Sequence, residues 1–353
     1  MEQLVVEVAS GSYGIYLGEE IWDLAREFAQ GYGQVVVVSD ANVAALYGAR
    51  LPFPSYILSP GETEKTPATV LELVEELARR GLERSSLLLA LGGGVVGDLV
   101  GFAASIYLRG IDYVQIPTTL MAQVDSSVGG KTGVNLPQGK NLLGTFYQPK
   151  AVFIDPEVLK TLPPREIGNG LAEVLKYGII GASDLFQLVT DNLADFFQPD
   201  PKLLAFVIWR CCQLKSEIVA QDERDRGLRN ILNHGHTFGH ALEVLTNYGV
   251  YAHGEAVLLG MLLEAQLAKE LGILPPDCFQ VITRGLRQAV ERTKLERRLP
   301  DFTQEQLLDA LLHDKKNRHR RISFILPTRV GGVKEVLLTA EELQPYLERV
   351  LEL

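Results

Sequence analysis

The stretch Ser85-Ser86-Leu87-Leu88-Leu89-Ala90-Leu91-Gly92-Gly93-Gly94-Val95-Val96-Gly97-Asp98 decides the fold. Its first half is an unbroken apolar run, the pattern of a strand buried on both faces of a parallel sheet. Its second half matches G-x-G-x-x-G where a strand opens into a helix. In that context missing side chains let the backbone close on a pyrophosphate, and the helix N-terminus offers N–H donors. The same glycines equally suit a tight turn with close helix–sheet packing. A ribose-binding acid is expected about 20 residues further on, at the end of the next strand. Here that segment carries Arg109-Gly110-Ile111-Asp112 before its strand, and the best strand-end acid is Asp40, on an earlier strand. A dinucleotide bound at these glycines therefore implies an uncommon topology.

On either side, strand and helix patterns alternate. Val5 to Val8, Gln34 to Val38, Tyr56 to Leu58, Tyr113 to Ile116 and Ala151 to Ile154 read as strands. Ile21 to Phe28 has helical spacing, and Pro67 to Arg80 is amphipathic and closed by Gly81. This repetition predicts an open α/β sheet. After about Pro156 the segments 166–195, 202–221, 229–247, 254–271, 277–292 and 304–313 read as helices, and strand signal returns only at Arg321 to Leu326. The expectation is a Rossmann-like α/β domain over residues 1–160, then a mainly helical domain over 161–353, punctuated by Pro163-Pro164. Residues 117–148 set Asp125, Lys131, Asn135, Lys140 and Asn141 among glycines and threonines. Such a stretch is expected to bury little, as a long surface loop or as a functional segment.

Composition narrows the function. The chain has 353 residues, 44 acidic against 34 basic, for a net charge of −10. That argues against nucleic acid or an anionic membrane as partner, since both need a basic face. Cys211, Cys212 and Cys278 form no C-x-x-C pair and no disulfide framework, which fits a reducing compartment. The first residues lack a basic region followed by a long apolar one, so the expected location is the cytoplasm. The longest apolar stretch, Leu87 to Ala104, contains glycines and Asp98 and does not read as a membrane span.

Asn233-His234-Gly235-His236-Thr237-Phe238-Gly239-His240 holds three of the six histidines. On a helix His236 and His240 share a face, which Asn233 and Arg229 extend backwards, while His234 points elsewhere. His253-Gly254-Glu255 opens a further apolar helix, and Glu173 and Lys176 stand one turn apart on Gly170 to Lys176. A carboxylate with two histidines is the composition of a catalytic zinc site, although two histidines one turn apart are also a common polar helix face. A histidine of that pair left off the metal is free for proton transfer. Arg109, Lys131, Lys140, Lys176, Lys215 and Arg229 each lie beside a glycine or polar motif. Singly they suit solvated side chains; together they suit a substrate with phosphate and carboxylate groups. Asp314 to Arg321 reads as a charged loop, one of whose lysines can close over an anion.

These motifs resemble the 3-dehydroquinate synthase family over essentially the whole chain. They are Gly92 to Asp98, Pro117-Thr118-Thr119-Leu120, Val124 to Lys131, Gly139-Lys140-Asn141-Leu142, Ala172-Glu173-Val174-Leu175-Lys176, Asn233 to His240 and His253-Gly254-Glu255. The resemblance implies Glu173, His236 and His253 as ligands of a divalent metal, zinc first and cobalt second. It implies NAD held by Asp40, Asn42, Glu62 to Lys65, Gly93, Gly94, Val95, Asp98, Thr118, Thr119, Lys140 and Asn169. Substrate falls to Arg109, Asp125, Lys131, Asn141, Lys176, Lys215, Arg229, Asn233 and Lys315 or Lys316, with Lys316 preferred. His240 is implied in proton transfer, with Lys176 beside it. Asp225 stands at an acid–base position that is often Glu in the family. The implied substrate is a small phosphorylated sugar acid, 3-deoxy-D-arabino-heptulosonate 7-phosphate, and the implied assembly a homodimer. The implied chemistry is transient NAD-dependent oxidation, phosphate elimination, re-reduction and aldol closure to 3-dehydroquinate. Two alternatives stay open: a sister sugar-phosphate cyclase, and a glycerol dehydrogenase-type metal-dependent alcohol dehydrogenase.

Overall fold

The structure is a computed structural model that describes residues 1–198, 200–293, 295, 299, 301–312 and 321–352. Lys315 and Lys316 lie outside the described residues. The chain divides into two compact units: Met1–Leu162 with Pro201–Arg224, and Pro163–Asp200 with Asp225–Leu353. The first break falls two residues after the expected 160/161 boundary. The helix Pro201–Gln221 departs from that boundary, because it groups with the first unit.

Unit 1 is built on a seven-stranded sheet. Its strands are β1 (Glu2–Val8), β2 (Gly11–Leu17), β3 (Val35–Asp40), β4 (Ser55–Leu58), β5 (Leu87–Gly92), β6 (Asp112–Pro117) and β9 (Ala151–Ile154), in the order β1-β2-β9-β6-β5-β3-β4. Only β1 and β2 pair antiparallel. Side chains of a strand alternate between faces, so Leu88 and Ala90 join one core with Leu73, Leu77, Leu99 and Val100, while Leu87, Leu89 and Leu91 join the other with Ile21, Trp22 and Phe153. A strand covered on both faces has no polar side to show, which is why the run was unbroken.

Residues 117–148 correct the expectation of a loop that buries little. They form a five-residue π-helical turn, Ala122–Ser126, followed by a hairpin of β7 (Lys131–Leu136) and β8 (Gly139–Phe146). Val124, Val128, Thr132 and Val134 are buried. The helix Pro201–Gln221 packs against β1 and this turn, with the Cys212 thiol on the Gln123 carbonyl at 3.3 Å.

Unit 2 is helical, with the hairpin β10 (Ile322–Arg329) and β11 (Gly332–Leu338) against it. Its central helix, His253–Glu270, is buried almost all round, as its scattered apolar residues require. The helix expected over 229–247 is broken. Leu228–Asn233 is a 3-10 segment, and the α-helix begins only at His236, after Gly235 at φ 81°. Asn233 and Arg229 therefore do not continue the His236 face helically. Among the described residues no helix is long and apolar enough to cross a membrane.

Candidate active site

In unit 1, Gly93 caps the helix Gly94–Ile106, and Gly93, Gly94 and Val95 are only partly buried at the end of β5. The first amides of a helix have no partner within it, so adjacent donors are left there for a group outside the helix. Side chains are excluded nearby: a Cβ on Gly93 would sit 2.9 Å from Thr119 Cγ2, and one on Gly94 3.0 Å from Ser126 Oγ. Thr118 Oγ1 is buried without a hydrogen-bond partner among the described residues, and Thr119 Oγ1 accepts from the Ala122 amide. Asp40 caps its helix, accepting from the Asn42 and Val43 amides at 2.9 and 3.1 Å.

Lys65 is buried, and its ammonium donates to Asp98 at 2.6 Å. Burial works against that charge, but Asp98 and then Glu62 outweigh it and raise the Lys65 pKa. Asn135 ties the neighbourhood together, donating its amide N–H to the Lys65 carbonyl at 2.8 Å and its side-chain amide to Glu62 at 2.7 Å. The Asn135 side-chain oxygen accepts from the Asn141 amide at 2.9 Å, where Asn141 turns left-handed at φ 54°. Lys140 stands next to it on β8, and Lys131 is exposed at the start of β7. Lys215 is buried and donates to both the carbonyl and the carboxylate of Asp125, at 2.6 and 2.9 Å. Arg109 is exposed, in a left-handed turn at φ 66°.

In unit 2 the sequence-predicted ligands converge. Glu173 and Lys176 are 1% and 2% exposed on the helix Pro164–Ile180. Lys176 ion-pairs with Glu173 Oε2. Oε1 lies 3.7 Å from His236 Nε2 and 3.8 Å from His253 Nε2, and has no hydrogen-bond partner among the described residues. Ligand atoms at about 2.0–2.2 Å from a tetrahedral ion stand roughly 3.3–3.6 Å apart, so this set fits a divalent metal with little adjustment. His236 Nδ1 lies 3.1 Å from the His234 carbonyl. A carbonyl only accepts, so Nδ1 carries the hydrogen and Nε2 keeps the lone pair that a metal needs. His240 stands close by, its ring 5.5 Å from His236 and 6.0 Å from His253. Arg229 is 2% exposed, with Asn233 on the same 3-10 segment, and Asp225 is left-handed at φ 55°.

Several residues escaped sequence reasoning. Glu243, 2% exposed, places Oε2 3.6 Å from His253 Nδ1. A carboxylate on the far nitrogen orients a ligating imidazole. His240, Glu243 and His253 also form a second cluster of ligand atoms, which shares His253 with the first. The His253 ring turns Nε2 to Glu173 and Nδ1 to Glu243, which favours the first set for the ion. Glu243 is one turn beyond His240, a spacing visible in the sequence. The N-terminus of the His253 helix is held by Arg165, which grips Glu255 at 2.9 and 2.7 Å, and by Asn169, whose oxygen accepts from the Gly254 amide at 2.5 Å. Asn169, expected at the cofactor, thus already bonds to the residue after His253.

Solved structures share this arrangement of chain. A 2-epi-5-epi-valiolone synthase from Streptomyces hygroscopicus subsp. jinggangensis 5008, with NAD+ and Zn2+ bound, superposes with a TM-score of 0.86 at 29% identity, covering 100% of this chain and 99% of that one. A 2-deoxy-scyllo-inosose synthase complexed with carbaglucose-6-phosphate, NAD+ and Co2+ gives 0.86 at 27% identity, covering 99% of each. Both neighbours are sugar-phosphate cyclases, and the chain shares their fold, a parallel-sheet α/β unit and a helical unit. Residues 55–169 match the 3-dehydroquinate synthase N-terminal family and 170–317 its C-terminal counterpart. A 3-dehydroquinate synthase of Alkaliphilus metalliredigens (strain QYMF) is 47% identical over 354 residues, 98% of each chain. The chain belongs to the 3-dehydroquinate synthase family.

Proposed function

We propose that the chain converts 3-deoxy-D-arabino-heptulosonate 7-phosphate to 3-dehydroquinate and phosphate, as a cytoplasmic homodimer. The observation that carries the reading is the convergence of Glu173, His236 and His253 beside the buried Lys176, in a chain of this family. When bound, NAD takes and returns a hydride at the substrate's carbon 5, whose hydroxyl the divalent ion, zinc or cobalt, makes more acidic.

The chain's own residues do the rest. Asp40, Asn42, Glu62, Lys65, Gly93, Gly94, Val95, Asp98, Thr118, Thr119, Lys140 and Asn169 are the residues assigned to the dinucleotide. Lys176 keeps one Glu173 oxygen occupied, which turns the other toward the histidines, and its charge favours an anionic substrate. His240 takes the proton from the carbon 5 hydroxyl, since neutral imidazole is a base near pH 7. Asp225 serves the later proton transfers with a side chain one methylene shorter than the usual Glu. Arg109, Asp125, Lys131, Asn141, Lys215, Arg229, Asn233 and Lys316 bind carboxylate, hydroxyl and phosphate groups. The Asp125–Lys215 pair fixes both side chains before substrate arrives, which lowers the entropy cost of orientation.

The test mixes the protein with this heptulosonate phosphate, zinc and catalytic NAD, and follows phosphate and NADH together. Phosphate over many turnovers with no lasting NADH is expected. Steady NADH without phosphate would indicate a dehydrogenase, and no reaction would direct the assay to other sugar phosphates.

A further inference from the structure

We propose that His234 and Glu264 are positioning residues that set His236 as a metal ligand by locking the left-handed turn at Gly235; the inference rests on the metal-site reading above. Both side chains are completely buried, and no step of the reaction falls to them. A single oxygen, Glu264 Oε2, accepts from the Gly235 amide at 2.7 Å and lies 2.9 Å from His234 Nδ1. The same Nδ1 lies 2.8 Å from the Ile325 carbonyl, on β10. Since a carbonyl can only accept, Nδ1 carries the hydrogen and is held between two oxygens. The His234 carbonyl in turn faces His236 Nδ1. A continuous chain of bonds therefore runs from Glu264 through the Gly235 turn to the His236 ring, whose Nε2 is aimed toward Glu173.

The turn needs such a lock. Gly235 is left-handed at φ 81° and is the residue before the His236 helix, so its amide has no partner inside that helix. It has no side chain to pack, and none would fit: a Cβ there would lie 2.5 Å from Met261 Cγ and 2.8 Å from the Val257 carbonyl. The opposing Gly260 is equally confined, because a Cβ on it would collide with the Gly235 carbonyl. Close approach of the two helices holds the turn sterically, and Glu264 holds it by hydrogen bonds. Stability alone does not account for the pair. His234 Nε2 and Glu264 Oε1 are buried without hydrogen-bond partners among the described residues, and well-packed apolar side chains serve a core at least as well as a buried polar pair. The helix His253–Glu270 supplies one ligand at its first residue and Glu264 about three turns later. One rigid element thus fixes His253 directly and His236 through the clamp.

The experiment measures zinc affinity of the full chain by competition with a chelating dye, alongside metal-free melting and NAD affinity. His234→Phe fills the space without the donor and is expected to bind zinc about 10–100-fold more weakly, while His234→Asn, whose amide N–H replaces Nδ1–H, stays within about threefold of the parent. NAD affinity is expected to hold in both, and excess zinc to restore most of kcat. Native zinc affinity in His234→Phe, when His236→Ala has lost zinc, overturns the clamp; so do equal losses in His234→Phe and His234→Asn. Zinc retained by His236→Ala sinks the metal-site reading instead. Should His234→Phe fail to fold, Glu264→Asp, which withdraws the carboxylate from Gly235, is expected to show the same loss, and native affinity there overturns the proposal.

Discussion

The two units bury different things. Around the sheet of unit 1 the two cores are apolar, and the glycine turn at the end of β5 offers backbone donors. Unit 2 buries Glu173, Lys176, Arg229, His234, Glu243 and Glu264, each at 2% exposure or less. Replacing buried ionic groups by apolar ones is often neutral or stabilising, so a core that keeps such groups is not built for stability alone. Unit 1 buries charge too, Lys65 and Lys215 at 5% exposure each, paired with Asp98 and Asp125; what sets it apart is the bare backbone at its glycine turn.

The largest expected effect tests the second half of that contrast. His236→Ala should lose both retained metal and turnover, read by elemental analysis after dialysis and by phosphate release; an active, metal-free variant breaks the ligand assignment. The next compares stability with function directly. In metal-free protein Lys176→Met leaves the Glu173 carboxylate buried and unpaired, at a cost of about 3–5 kcal/mol. The double variant Glu173→Leu with Lys176→Met should recover most of that loss in a denaturant melt and remain inactive. A single variant as stable as the parent would mean that the pair is not desolvated in solution.

In unit 1 the corresponding change is steric. A Cβ on Gly97 would collide with the Gln115 side chain, which is itself buried. Gly97→Ala is therefore expected to cost about 1–3 kcal/mol through overpacking and to weaken NAD binding by calorimetry, with zinc affinity unchanged. Loss of zinc affinity instead would erase the division of labour between the units.

How much of this was legible depends on what each residue type can signal alone. The β5 run and its glycines were legible because a strand buried twice over has an unmistakable pattern. β2 and β11 were not: Gly11–Leu17 mixes Gly, Ser and Tyr, and Gly332–Leu338 carries exposed Lys and Glu. The hairpin over 131–146 hid behind its glycines. Gly144 is there because its Cβ would strike the Thr132 carbonyl across the hairpin, a packing reason that composition reads as a loop. The spacing of His236 and His240 was legible, whereas the break at Gly235 depends on contacts with Val257, Gly260 and Met261 on another helix. The proposed ligand triad came from resemblance, since residues 63 positions apart, Glu173 and His236, carry no mutual signal. Glu264 was invisible for a plainer reason: a glutamate on an apolar helix looks solvated until the helix is known to be covered all round.

The smallest expected effect concerns the cysteines, none of which is in a disulfide. Cys211 and Cys212 are fully buried on the helix Pro201–Gln221 of unit 1, and Cys278 is half-buried in unit 2. Burial pushes the Cys212 thiol up to about 12, with Asp125 adding to the rise and Lys215 opposing it. The thiolate is the reactive form, so iodoacetamide at pH 8 should label Cys278 first and the vicinal pair only when unit 1 opens. A raised thiol pKa favours the folded state fully below the unfolded value, about 8.5, and that contribution is lost as pH climbs from there toward the folded value. Labelling of Cys212 should therefore accelerate above pH 8.5 by more than thiolate formation in a free peptide explains. NAD, binding the native unit, should slow it by mass action. Peptide mapping after timed labelling reads both. Equal rates at Cys212 and Cys278 would show that the turn at Ala122–Ser126 and its helix are open in solution, and with them the setting of Asp125 and Lys215.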